Sequence, residues 1–143
     1  EKTPKIYGVY DALFISNYKG RTLHPSVITI TQTLSTITIH EKAHDGYSVA
    51  VTAKLIQDGP VTNPWHLYYI YSTYPDPNDH NDPHSGTVIL CVDGSPKIEG
   101  SYYTNRLEQT KGKLVMIRRS DPLVACPIDT RPYEQCEQTT GRT

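Results

Sequence analysis

The chain has 143 residues and a formal net charge of −1 with histidine neutral, with 36% hydrophobic and 20% charged residues. That length suits one domain able to bury a core of its own, and the near-neutral balance excludes the basic field that binding to long nucleic acid requires. No run of about 18 apolar residues is present, so no helical membrane span is expected within this stretch.

Eleven Tyr stand against one Phe and one Trp. A tyrosine joins an apolar ring to a hydroxyl that needs a partner, so it suits pleated surfaces and wet cavities more than dry cores. Abundant Thr strengthens the leaning towards β structure. The chain opens at Glu1 without Met or a secretory signal and reads as a soluble piece of something longer. Three Cys argue against a disulfide scaffold and for reduced thiols in the cytosol. Cys91, in the apolar run 87–92, reads as a core thiol, whereas Cys126 and Cys136 fall in the C-terminal tail and could be bridged in an oxidising compartment.

In chain order, residues 7–18 alternate well, with Tyr7, Val9, Asp11, Leu13 and Ile15 on one face and Gly8, Tyr10, Ala12, Phe14 and Ser16 on the other. After a turn at Lys19 and Gly20, the run 27–32 sets Ile28, Ile30 and Gln32 against Thr29 and Thr31. Residues 34–40 repeat the Thr/Ile alternation, and a polar bend at 43–46 leads into 47–55, where Val49, Val51, Ala53 and Leu55 share a face. Asp58, Gly59 and Pro60 break the chain. The segment 65–73 is strongly β-prone, and a long loop follows at 74–85, rich in Pro, Asp and His. Residues 86–92 form the next strand, with a turn at 93–96. A hairpin closes the series, its runs 97–106 and 113–119 joined by Gln109, Thr110, Lys111 and Gly112. Ile98, Gly100, Tyr102, Thr104 and Arg106 share one face of its first run.

No segment shows helical periodicity beyond two turns. The expectation is therefore an all-β fold, a compact antiparallel up-and-down barrel of about eight strands, favoured over a sandwich because closure leaves no sheet edge. The barrel is expected over residues 1–120, followed by a tail over 121–143 that is extended or partly disordered.

The chemistry on offer is modest. His80 and His84 share a loop with Asp76, Asp79 and Asp82, but a solvated acidic loop explains them, and no metal is expected. A barrel enzyme would rest on Asp11, Glu99 and the loop histidines, yet no activated nucleophile or phosphate-cradling loop accompanies them. Binding is better served. Tyr69 and Tyr71 share a face with Leu67 and Thr73, and Tyr102, Thr104 and Arg106 share another, so one barrel interior can hold stacking rings, hydroxyls and a guanidinium. Bases stack on aromatic rings for about 1–3 kcal/mol each, and Arg binds phosphate in bidentate fashion. The same tyrosines can equally fill the barrel and bond to one another.

The segments GVYDALFISNY, the Gln of ITITQ, LYYIYSTYP, HSGTVIL, GSYYTNR and TKGKLVMIRR run in register from Gly8 to Arg119. Together they resemble the SMODS-associated, two-transmembrane, β-strand-rich effector family of bacterial CBASS anti-phage defence. The resemblance implies a cytoplasmic barrel behind an upstream anchor in the inner membrane, an anchor absent from this chain. It also implies a non-enzymatic sensor that takes no cofactor and binds a cyclic dinucleotide messenger made by a partner nucleotidyltransferase. Self-association, membrane disruption and death of the infected cell follow from the same likeness. The Cys-containing tail lies outside it. In such a barrel, Arg106 is expected to pair with a phosphate, Tyr71 and Tyr102 to stack on bases, and Gln32, Thr87 and Thr104 to read polar edges. A lipocalin-like carrier of small ligands and a barrel enzyme are the alternatives, and the Tyr- and Thr-rich interior argues against a purely apolar cargo.

Overall fold

Alternating Tyr, Thr and β-branched residues punctuated by turns produce eight strands: β1 (Gly8–Ser16), β2 (Thr22–Gln32), β3 (Ile37–Ala43), β4 (Gly46–Gln57), β5 (Trp65–Pro75), β6 (His84–Val92), β7 (Lys97–Thr104) and β8 (Lys111–Arg118). Each pairs antiparallel with its successor, and β8 pairs back onto β1 to close the sheet. The fold is the expected closed antiparallel barrel, and closure removes every sheet edge. The computed structural model describes residues 3–17, 22–58, 64–78, 83–106 and 109–134. Lys19, Gly20, Asp79, His80, Asp82 and Cys136 lie outside them.

Alternation decides what fills the barrel. Tyr10, Ala12 and Phe14 of β1 point inward with Ile28 and Ile30, Ile39, Leu67, Val88 and Leu90, Ile98, and Leu114 and Met116. On β4 the expected single face of Val49, Val51, Ala53 and Leu55 is broken by a bulge. Ala50 pairs with Tyr71 and Thr52 with Ile70, which leaves Val51 as the extra residue, 67% exposed. The bulge reverses the phase. Ser48 is buried before it, Ala50 packs on the core there, and Ala53 and Leu55 do so after it.

β1 and β8 are apolar on both faces, and the chain beyond β8 covers their outer side. Ile128 and Tyr133 pack with Leu23 over Leu13, Ile15 and Val115, which are buried on the outside of the barrel. Arg119 donates two hydrogen bonds to Asp11, Nε to Oδ2 (3.0 Å) and Nη2 to Oδ1 (2.8 Å), and the Cys126 amide donates to Asp11 Oδ2 (2.9 Å). The Arg119 guanidinium holds the Asp11 carboxyl below the usual carboxylate range, against the opposing effect of burial. Cys91, expected in the core, is exposed on the outer face of β6. The inward positions of that strand go to Val88, Leu90 and Val92.

Candidate functional site

The two ends of the barrel differ. Where β1, β3, β5 and β7 begin, residues before β1 plug the opening. Ile6 is fully buried; its amide donates to Gln32 Oε1 (2.8 Å), and its carbonyl accepts from the Tyr10 hydroxyl (2.8 Å). Gln32 Nε2 donates to the Pro4 carbonyl (3.0 Å). Arg118 lies over the Tyr10 ring, donates to its hydroxyl (3.2 Å) and reaches the Lys5 carbonyl (3.2 Å). Every polar group named here is satisfied inside the plug, as burial demands.

At the opposite end a cavity of about 210 Å³ opens between the strands. Its walls include Phe14, Tyr71 and Tyr102, and its mouth is set by His24, Asp45, Tyr47, His84 and Arg106. The aromatic walls brace one another. Phe14 meets Tyr102 edge-on at 5.1 Å, Tyr71 tilts against Tyr69 at 6.3 Å, and His84 meets Tyr71 edge-on at 6.5 Å. At the rim Tyr47 and Tyr74 stack at 5.2 Å, both largely exposed.

Gly86 lets this wall form. A Cβ there would stand 2.5 Å from the Tyr71 hydroxyl and 2.5 Å from the Tyr103 carbonyl oxygen. The missing side chain lets the Tyr71 ring lie across the backbone there. Burial pushes the hydroxyls of Tyr69, Tyr71 and Tyr102 up, so these groups stay protonated and serve as donors.

One acidic group enters the same space. Glu41 faces inward from β3, in register with Ile28 and Ser48. Burial raises its pKa, while Ser26, Ser48 and His24 beside it favour the anion and Asp45 opposes it. Ser48 in turn hydrogen-bonds Thr73 (Oγ to Oγ1, 3.0 Å), so a polar belt crosses β3, β4 and β5 above the apolar floor. At the mouth His24 Nε2 meets Asp45 at 3.1 Å, with the His44 ring 5.7 Å away.

Of the six residues expected to line a site, Tyr71, Tyr102, Thr104 and Arg106 come together around this cavity. Thr104 contributes wall more than reading capacity, because its hydroxyl is engaged with the Thr110 hydroxyl and receives the Thr110 amide (3.2 Å). Gln32 and Thr87 are elsewhere. Gln32 holds the plug at the closed end, since β2 runs the length of the barrel and ends there. Thr87 is exposed on the outside, because β6 turns Gly86 and Val88 inward.

The carboxylates considered for a barrel enzyme also face away from the cavity. Asp11 is tied to Arg119 under the tail, and Glu99 meets Lys97 (3.1 Å) and Lys113 (3.6 Å) on the outer face. Sequence reasoning missed Glu41, Ser48, His24 and Tyr47. A signal for Glu41 was available in the strict alternation of Ile37, Ile39 and Glu41, which assigns it to the apolar face.

No curated protein matches the chain. No helix among the described residues is long and apolar enough to cross a membrane. Residues 1–118, which include all eight strands and both ends of the barrel, match the family described as Cap15, cyclic dinucleotide receptor domain, and the chain belongs to that family.

Proposed function

We propose that this domain is the sensor of an anti-phage effector and takes its cyclic dinucleotide by drawing one base into the open end of the barrel. The observation that carries this reading is the pairing of Tyr71 and Tyr102 in the walls with Arg106 at the mouth. At about 210 Å³ the cavity is smaller than the ~300–1,000 Å³ of pockets that engulf drug-sized ligands. One flat ring suits that space, and the sugar-phosphate ring then remains outside, where Arg106 can bind a phosphate in bidentate fashion. The exposed Tyr47 and Tyr74 pair offers the second base a stacking surface at the same rim.

A ligand held half outside the barrel presents new surface at the mouth. Binding can then favour self-association, since a ligand shifts only equilibria whose states it binds unequally. With an upstream anchor in the inner membrane and the barrel on its cytoplasmic side, confinement in a plane raises the effective concentration of neighbours. Clustering then disrupts the membrane. In this reading the barrel binds and signals without catalysing a reaction.

Calorimetry against a panel of cyclic dinucleotides tests it, with Arg106→Ala as the probe. Loss of a charge-assisted hydrogen bond should cost about 1.5–3 kcal/mol, roughly ten- to a hundredfold in affinity. Binding no tighter than about 100 μM across the panel, near −5.5 kcal/mol, removes the receptor reading. A folded Arg106→Ala protein that binds unchanged removes the phosphate contact.

A further inference from the structure

Glu41 is out of place in a pocket for an anionic ligand. Its strand turns it inward in register with Ile28 and Ser48, so a carboxylate lines the cavity at a cost in desolvation. Its surroundings are defined on every side. His24 faces it from β2 and Asp45 from the β3–β4 turn, while Tyr69 and Tyr71 from β5 and Tyr102 from β7 lie within its electrostatic reach. Serine hydroxyls flank it, and the nearer belt continues from Ser48 to Thr73. Glu41 lines the cavity, and a carboxylate has about four lone-pair sites, more than two neighbouring serine hydroxyls can occupy. Ligand phosphates are repelled by such a group. The part of the ligand that can approach it is a base edge carrying N–H donors.

We infer that Glu41 selects the base, its carboxylate accepting the two adjacent N–H donors of a guanine edge. This rests on the receptor reading above and adds the ligand's chemistry to it. Guanine sets N1–H and N2–H₂ side by side, matching the two carboxylate oxygens as a guanidinium does. Adenine places an acceptor nitrogen next to its amino group, and uracil flanks its one N–H with carbonyls, so each sets a lone pair against the anion. With Tyr71 and Tyr102 as walls, a base enters edge-first, and the edge that leads is the one Glu41 meets. A site built to accept hydrogen bonds rejects ligands lacking the donors, because its own buried acceptors are then left unpaired.

The test titrates the wild-type domain and Glu41→Gln with cyclic di-GMP, cyclic di-AMP and cyclic di-UMP at neutral pH by calorimetry, with melting curves as a check on folding. Glu41→Gln removes a desolvated charge, so its melting temperature should hold or rise. The wild type should bind cyclic di-GMP at least tenfold more tightly than the other two, and Glu41→Gln should erase that preference by weakening cyclic di-GMP alone. Wild-type binding without preference for guanine, or a preference that survives in Glu41→Gln, overturns the assignment and leaves the receptor reading in place. Failure of the wild type to bind any of a wider cyclic dinucleotide panel removes the receptor reading, and this assignment with it.

Discussion

The two ends of this barrel are built from the same strands and put to opposite uses. At the closed end, short polar groups are consumed in pairs around Ile6, with Gln32, Tyr10 and Arg118 each meeting a backbone or side-chain partner. At the open end, the inward residues are as polar, but Glu41, Tyr71 and Tyr102 border a space. The lesson is that polarity inside a barrel does not mark a site. The cavity does: a polar group enclosed by chain on every side is structure, and one that borders a cavity can meet a ligand.

Three perturbations can break or sharpen that contrast. The largest effect is expected from Ile6→Ala, which empties a fully buried position at the plug and should cost about 2–5 kcal/mol of stability. Chemical denaturation measures it. The affinity of the folded fraction for a cyclic dinucleotide should be unchanged, and a matching fall in affinity would show the ends to be coupled.

Gly86→Ala should act at the other end on both properties. The added methyl meets the Tyr103 carbonyl and the Tyr71 ring, so overpacking should cost about 1–3 kcal/mol. It also displaces the Tyr71 wall, and ligand affinity should fall with it. A variant that loses stability yet binds normally would detach Tyr71 from the site.

The smallest effect concerns the side wall, which belongs to neither end. Arg119 depresses the Asp11 pKa in the folded state, so the pair's contribution is present above the unfolded carboxylate value, about 3.9, and is lost as pH falls through the lower folded value. The protection factor of the Cys126 amide, whose N–H donates to Asp11, should therefore fall below about pH 4 while the amides of β4 and β5 stay protected. A uniform loss of protection across the barrel would make the tail integral to the fold rather than a cover on it.

Much of this architecture was legible in the chain. The alternation of Ile98, Gly100, Tyr102 and Thr104 placed β7 correctly, and LYYIYST placed Tyr69 and Tyr71 inward, because each of these runs carries its period of two without interruption. Thr87 faces outward, and because the run from Thr87 to Val92 is β-prone on both faces, periodicity alone does not choose its inner side. The bulge at Val51 breaks the shared face of Val49, Val51, Ala53 and Leu55, and it leaves no mark in composition. The inward direction of Gln32 is readable in the sequence, whereas its distance from the mouth depends on which end of the strand it occupies.

The outer burial of Leu13, Ile15 and Val115 had a visible signal. ALFI and LVM are apolar on consecutive positions, and a strand apolar on both faces needs cover on both.

The sequence by itself determined the number of strands, their antiparallel order and the tyrosine-rich character of the interior, since these follow from local periodicity and turn chemistry. The tertiary structure alone decided which end is plugged, that the tail seals β1 and β8, and that Glu41 comes to face Tyr71 and Tyr102. Closure joins strands distant in the chain, and its register fixes depth along the barrel axis, which no local pattern encodes.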